Sequence, residues 1–335
     1  YNINLDYYDI KTKSFDFGVD TDNILAADFR YGSFVHNLDH DLMQNLQAKA
    51  GGKQVYNTDN DPMGRYFLEY EKFHGDIKLD MPFMKDGQVV LGMADERRSG
   101  YKQAQTIEHC AFCHVHSHSQ RVDQQTRIWK ADVTGSVGAF SLNYDFAKTD
   151  FVDRAKTGEH RYKKAFHQVF GAESLDGATN YLAEFTSRQQ FSDVTMPYNR
   201  TADNDKISHN AGVKVNLRSA GILKGSYTHT NRKNYWTGVE GKFDAGALGY
   251  AIRLSPEWRL TAKFVGYETK VDDVFVDLLP FREGRGAGGQ DFDWNRISSA
   301  NRKVYQGDLN LGWKVGKGKH LKGNWRYQVI DRPAM

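Results

Sequence analysis

The chain has 335 residues, a mean hydropathy of −0.68 and a net charge of +3 at pH 7. So small a charge gives no argument for nucleic-acid binding, and no run approaches the roughly 18 apolar residues that a membrane-spanning helix needs. Aromatic residues nevertheless make up 13%, glycine is plentiful and proline scarce. This mixture is typical of transmembrane β-barrels, whose strands alternate lipid-facing and lumen-facing side chains.

Alternation of apolar and polar residues predicts strands along most of the chain. The pattern starts at Ile3, Leu5 and Tyr7 and is strongest near the C-terminal end, where two alternating runs flank a Gly-Lys-Gly-Lys turn and predict a β-hairpin. Roughly 14 to 16 candidate strands follow, many near the ten residues that a barrel strand requires. Further alternating runs lie at 140–146, 213–217, 248–254 and 258–264.

Other segments interrupt this pattern. Residues 34–48 carry Leu38, Leu42 and Leu46 at helical spacing, which predicts a short helix in a loop. Residues 101–125 are polar and rich in histidine, and we expect them to form an insertion between strands. Long polar stretches contrast with short turns, as they do in outer-membrane barrels.

The most specific motif is Cys110-Ala111-Phe112-Cys113-His114, which contains the only two cysteines of the chain. C-x-x-C-H is the attachment site of a c-type haem. Two thiols reach the two vinyl groups of one porphyrin, and His114 then becomes the proximal ligand of the iron. We therefore expect one covalent haem c in the 101–125 insertion.

Pure electron transfer needs a second axial ligand, usually His or Met. The candidates are His116 or His118 first, then His109, and then His36 or His40 from another loop. Two alternatives remain for the motif. Its cysteines could form a disulfide, or they could bind zinc together with two of His114, His116 and His118.

About 25 residues cannot build a separate helical cytochrome domain around a haem. We therefore expect a single domain over 1–335, with the haem lying against the barrel or a partner. The sequence contains no pairing of a nucleophile with a base and no phosphate-binding loop between a strand and a helix. The protein is thus predicted not to be an enzyme.

Segments 30–41 (Arg-Tyr-Gly-Ser-Phe-Val-His-Asn-Leu-Asp-His-Asp), 57–62 and 327–333 resemble the outer-membrane barrels of the MtrB/PioB type, the porin components of porin–cytochrome electron conduits. The resemblance implies a large antiparallel transmembrane β-barrel in the bacterial outer membrane. It also implies periplasmic or extracellular multihaem c-type cytochromes as partners, sheathed by or docked on the barrel.

Two features depart from that family. Its members are generally longer, so we expect this chain to be a portion of a longer barrel. A haem motif in the porin itself is not their usual pattern, so the haem prediction depends on residues 110–114 alone. The sequence thus predicts a barrel that belongs to an electron conduit and carries its own haem. The alternative is a passive porin with a zinc-binding Cys/His loop.

Overall fold

A computed structural model describes residues 2–7, 9–21, 24–43, 49–50, 53–54, 57–107, 115–162, 194–276, 281–282, 289–290 and 294–332. These residues form β-strands and a single turn of 3₁₀ helix at Arg218–Ala220. The strands are β1 (Asn2–Tyr7), β2 (Lys13–Thr21), β3 (Leu25–Asn37), β4 (Lys49–Ala50), β5 (Lys53–Gln54), β6 (Asn57–Asp59), β7 (Phe67–Met81), β8 (Lys85–Ile107), β9 (Val115–Val137), β10 (Phe140–Asp153), β11 (Gly158–Tyr162), β12 (Val194–Tyr198), β13 (Asn204–Asn216), β14 (Ile222–Asn234), β15 (Glu240–Arg253), β16 (Trp258–Val271), β17 (Val274–Val276), β18 (Phe281–Arg282), β19 (Gly289–Gln290), β20 (Trp294–Arg296), β21 (Arg302–Gly316) and β22 (Lys319–Asp331).

One 14-stranded sheet dominates the structure. Its order is β1-β2-β3-β7-β8-β9-β10-β13-β14-β15-β16-β21-β22, each strand antiparallel to the next, and β6 pairs in parallel with the start of β9. The remaining strands form two-stranded ladders in the connections. An all-β fold built on a large antiparallel sheet, as the sequence predicts, is confirmed. None of the described residues forms a helix with the length and apolar content needed to cross a membrane.

One face of this sheet is apolar across many strands, because the register aligns the apolar half of each alternating run. Leu309 on β21, for example, lies between Ala262 on β16 and Trp325 on β22. On β16 the apolar positions run from Trp258 to Gly266, about 26 Å of strand at about 3.3 Å per residue. We call this surface the apolar band.

No second layer covers the apolar band within the described residues. Leu248 remains 53% exposed, Phe264 51% and Trp325 59%. Only seven apolar residues of the described part of the chain are buried. A soluble single-layer sheet with so large an uncovered apolar face would aggregate, so the band requires an apolar environment.

Aromatic residues mark both limits of the apolar band. Tyr144, Tyr227 and Tyr305 occupy one lateral row of the sheet. The next row is polar, and the Tyr227 hydroxyl donates to Asp244 of that row at 2.6 Å. At the other limit, Trp258 stacks on its cross-strand partner with ring centroids 5.0 Å apart. Aromatic rows at the two limits of an apolar face are characteristic of outer-membrane barrels.

The opposite face of the sheet is polar and internally hydrogen-bonded. Asp145 accepts a bond from Asn210 at 2.7 Å, and Asn210 in turn accepts one from Thr228 at 2.9 Å. Asp308 accepts bonds from Gln306 and Arg326. These groups satisfy one another in pairs and chains, as expected for a surface that borders water or a polar partner.

The two ends of the sheet differ in their connections. At one end every turn between neighbouring strands of the sheet is short, two to five residues, from 22–24 to 317–318. At the other end, 38–66, 154–203 and 272–301 are long connections. The β8–β9 connection, residues 108–114, lies at this long-connection end.

Two local predictions need correction. Residues 34–37 belong to β3 rather than to a helix, because each pairs with β7 in an unbroken ladder; residues 38–43 are irregular, and 44–48 lie outside the described residues. The insertion predicted over 101–125 is mostly strand, because β8 continues to Ile107 and β9 begins at Val115. The sequence shows no alternation of apolar and polar residues in this segment, because both faces of the strands are polar there.

Candidate functional site

The β8–β9 hairpin extends well beyond its neighbours at the long-connection end. Pairing between β7 and β8 stops at Tyr101, whereas β8 and β9 remain paired to Ile107 and Val115. Gly100 marks the start of this extension with a φ of 140°, and a Cβ there would collide with a backbone carbonyl oxygen of β7. We call residues 102–107 with 115–123 the hairpin extension; residues 108–114 join its two strands.

One side of the hairpin extension is held by β6. The central contact is Asp59, whose side chain is 4% exposed and accepts bonds from Ser117 at 2.7 Å and from the Asp61 amide at 3.1 Å. His40 Nε2 lies 2.6 Å from the same carboxylate. Ser117 itself is fully buried. The parallel β6–β9 ladder and these side-chain bonds together fix the base of the 108–114 connection.

The β11–β12 hairpin and its flanks contact the same extension. The amide of Asn199 donates to Gln120 at 2.8 Å, and the backbone N–H of Arg154 donates to the Asp123 carbonyl at 2.7 Å. We call the packed unit formed by β6, residues 38–43, β11–β12 and the hairpin extension the cap. Most of the buried residues in the described chain are in or beside it: Met43, Tyr66, Leu68, Ala104, Thr106, Ser117, Val122, Asp123 and His160.

Three imidazoles meet inside the cap. His116 and His118 lie on one face of β9, and His160 comes from β11. The His160 ring centroid is 5.4 Å from each of the other two, and those two are 6.4 Å apart. The side-chain nitrogen of Asn60 lies 3.4 Å from His116 Nδ1 and 3.3 Å from His118 Nε2. We call these three residues the histidine cluster.

The cap shifts the ionisation of several of its groups, among them His118 and Asp59. Burial lowers the pKa of His118, and the neighbouring His160 and His116 lower it further, so its imidazole is neutral near pH 7. Burial alone would raise the pKa of Asp59, but the bonds from Ser117, the Asp61 amide and His40 outweigh it and lower that pKa. A neutral imidazole is the form that binds metal ions.

The structure brings only some of the haem ligands predicted from the sequence to this site. Cys110, Cys113, His114 and His109 lie outside the described residues. His116 and His118 are in the histidine cluster. His40 is close, but it is bonded to Asp59 on the side of Ser117, and Ser117 faces away from its strand neighbours His116 and His118.

His36 is not brought to the site. Across the sheet it aligns in register with Leu68, Gly100 and Val122. Val122 is seven residues, about 23 Å of strand, from Val115, where β9 begins. Conversely, no sequence pattern points to His160. It stands in a polar stretch without alternation, and only its pairing in β11–β12 places it against β9.

The residues present fit a haem in two respects. The cluster supplies imidazoles, of which that of His118 is neutral near pH 7, next in sequence to the segment that carries C-x-x-C-H. Thr106, the cross-strand neighbour of His116, is 5% exposed, and its hydroxyl has no hydrogen-bond partner within the described residues. A buried hydroxyl normally has one, and a group held by residues 108–114 would provide it. Among the described side chains, no three His, Cys, Asp or Glu converge to hold a metal ion by themselves.

Comparison with known proteins gives no family. No family model and no curated protein matches the chain. Among solved structures, the siderophore receptor PirA from Acinetobacter baumannii aligns with a TM-score of 0.40 and 9% sequence identity. The alignment covers 94% of this chain and 52% of the receptor, so the chain spans about half the length of that protein. At this distance the alignment carries no information about ligand or activity.

Proposed function

We propose that this protein is an outer-membrane β-barrel component of an electron-transfer conduit, and that it carries one covalent c-type haem on Cys110 and Cys113. His114 would be the proximal ligand, and the histidine cluster would supply the second ligand. The role is to carry and position a redox group rather than to catalyse a reaction. Multihaem c-type cytochromes are the proposed partners.

The observation that carries the membrane location is the apolar band. It is about 26 Å long on β16, which a strand tilt of about 35–45° converts to about 20 Å along the membrane normal, comparable with the apolar height of about 25 Å of outer-membrane barrels. Tyrosines lie at one limit and stacked tryptophans at the other. The opposite face is polar, which suits a lumen filled by water or by a partner protein.

The haem assignment depends on the C-x-x-C-H motif, and the cap supports it. A bound haem supplies one-electron chemistry. The chain itself holds the loop by its two paired strand ends, restrains it through β6, and presents imidazoles beside it. This packing against the strands that flank 108–114 suits a motif that must keep a prosthetic group in a fixed position.

The thickness of the membrane is the reason for proposing cytochrome partners. A single haem cannot bridge a hydrocarbon core about 30 Å thick, so transfer across the membrane requires further redox centres. The polar face of the sheet is a suitable surface for a protein that brings them.

The haem proposal is tested by expressing the protein together with a c-type haem maturation system. The intact mass should exceed that of the polypeptide by one haem, and the Soret band should survive acid–acetone extraction. C110A/C113A should lose both signals, whereas His320→Ala, at the short-turn end, should keep them. A bare polypeptide mass with stoichiometric zinc would refute the haem and favour a porin with a zinc-binding loop.

The conduit proposal needs a separate measurement. Liposomes loaded with an electron-accepting dye should show rapid transfer only when the barrel and multihaem cytochromes are both present. If the barrel alone transfers electrons equally fast, the proposed need for partners is wrong. If ions leak freely through the complex, the protein acts as an open porin instead.

A further inference from the structure

The position of the motif relative to the apolar band can be measured along the hairpin that carries it. On β8 the outward positions are apolar up to Met93 and charged at Asp95. On β9 the change falls between Trp129 and Arg127. From Asp95 to Ile107 there are twelve residue steps, about 40 Å of strand at about 3.3 Å each.

A strand tilt of about 35–45° converts that length into about 30 Å along the membrane normal. The interfacial region on each side of the hydrocarbon core is much thinner, since the whole bilayer adds only about 10–15 Å to the core. The strand ends that bracket 108–114 therefore lie beyond the lipid headgroups.

The side of the membrane follows from the connections. Outer-membrane barrels have short turns on the periplasmic side and longer loops outside the cell. Here every connection at one end has two to five residues, whereas 38–66, 154–203 and 272–301 lie at the other end, together with 108–114 and the five-residue connections 8–12 and 235–239. Strands β7 to β10 are paired consecutively and antiparallel, so their connections alternate between the two ends of the sheet. The β8–β9 connection must therefore be at the end opposite to the short β7–β8 and β9–β10 turns.

We infer that Ile107 and Val115, the strand ends that flank the C-x-x-C-H motif in sequence, lie about 30 Å beyond the apolar band on the cell-exterior side, so that a haem on this motif would exchange electrons with redox species outside the cell. This inference rests on the proposed function, because it takes the apolar band to be the membrane-spanning surface. The cap is then an extracellular support that holds the haem away from the lipid.

The side can be tested independently of the haem by inserting a short epitope at either end of the sheet. Gly238 lies in the β14–β15 turn at the long-connection end, and Gly318 lies in the β21–β22 turn at the other; both have a positive φ in exposed turns. An antibody should label intact cells carrying the tag after Gly238. It should label cells carrying the tag after Gly318 only once the outer membrane is permeabilised.

The reverse pattern would overturn the inference and place the haem in the periplasm, while leaving the barrel itself intact. Absence of both tagged proteins from the outer-membrane fraction, or labelling of both on intact cells, would instead refute the membrane-spanning barrel. An insertion that blocks assembly is replaced by one at the same end, after Asp273 or after Pro256.

The haem itself provides a second readout. A membrane-impermeant one-electron reductant added to intact cells should produce an α-band that is absent from the C110A/C113A variant. An α-band that develops only after permeabilisation would contradict the exterior placement even if the tags support the topology.

Discussion

The apolar band predicts a sharp difference between two sets of positions on one strand. The outward positions of β21 from Tyr305 to Trp313 span the band, and Leu309 is at their midpoint. Arginine on the lipid face of a barrel costs about 2–4 kcal/mol at the midplane and about 0–1 kcal/mol near the interfaces. Leu309→Arg should therefore lower the folding equilibrium constant in vesicles by about 30- to 700-fold, since about 1.4 kcal/mol is tenfold.

The free-energy cost of arginine should depend on the depth of the substituted position in the membrane. Arginine at Tyr305 or Trp313, each four residues or about 13 Å of strand from Leu309, should cost far less. Asn310→Arg is the matched control, because Asn310 is next in sequence and lies on the polar face between Thr261 and Asn324. The assay is urea-dependent folding into phospholipid vesicles, followed by tryptophan fluorescence and by heat-modifiable migration on gels. Equal costs at 309 and 310, or no depth dependence, would refute the assignment of the two faces.

Three further predictions concern the cap. Ser117→Ala removes a hydrogen bond to a buried carboxylate and should weaken the cap by about 1.5–3 kcal/mol, seen as faster hydrogen exchange of amides 115–119 with unchanged exchange in β21. The pKa of Asp59 is lower in the folded than in the unfolded protein. The ionised carboxylate therefore stabilises the cap fully above the unfolded pKa, about 3.9, and this stabilisation is lost as the pH falls through the folded pKa. Asp59→Asn should abolish this acid dependence of amide hydrogen exchange in the cap. His160→Ala should change the ligand-sensitive part of the haem spectrum or its midpoint potential, whereas His209→Ala, on the membrane-facing side of β13, should change neither; identical spectra for both variants would exclude His160 as a ligand or a contact of the haem.

Sequence patterns predicted those strands in which one face is apolar and the other polar. The β21–β22 hairpin is the clearest case, because Leu309, Leu311 and Trp313 alternate with polar residues and a Lys317-Gly318 turn joins the two runs. The existence of the sheet, its approximate number of strands and its short turns are all consequences of that period-two signal.

The hairpin extension could not be predicted in the same way. From Lys102 to Thr106 both faces are polar or small, so the alternation carries no contrast, and the strand is maintained by backbone pairing with β9 and by the cap. His160 was missed for a related reason. Its proximity to His118 depends on the path of the connection between β10 and β13, which no local pattern encodes.

The cap has a consequence for the order of assembly. It joins residues near position 60, near 117 and near 160, so its contacts close large loops in the chain and should form late relative to the local hairpins. Covalent attachment of a haem to two cysteines requires access to an open loop. If the cap closed first, it would obstruct the enzymes that attach the proposed haem. Late closure keeps the ends of β8 and β9 uncovered while strands are still being added, and completes the support only after β11 has docked against β9. Variants that tighten the cap before attachment should therefore yield less haem per polypeptide, even though the finished protein would be more stable.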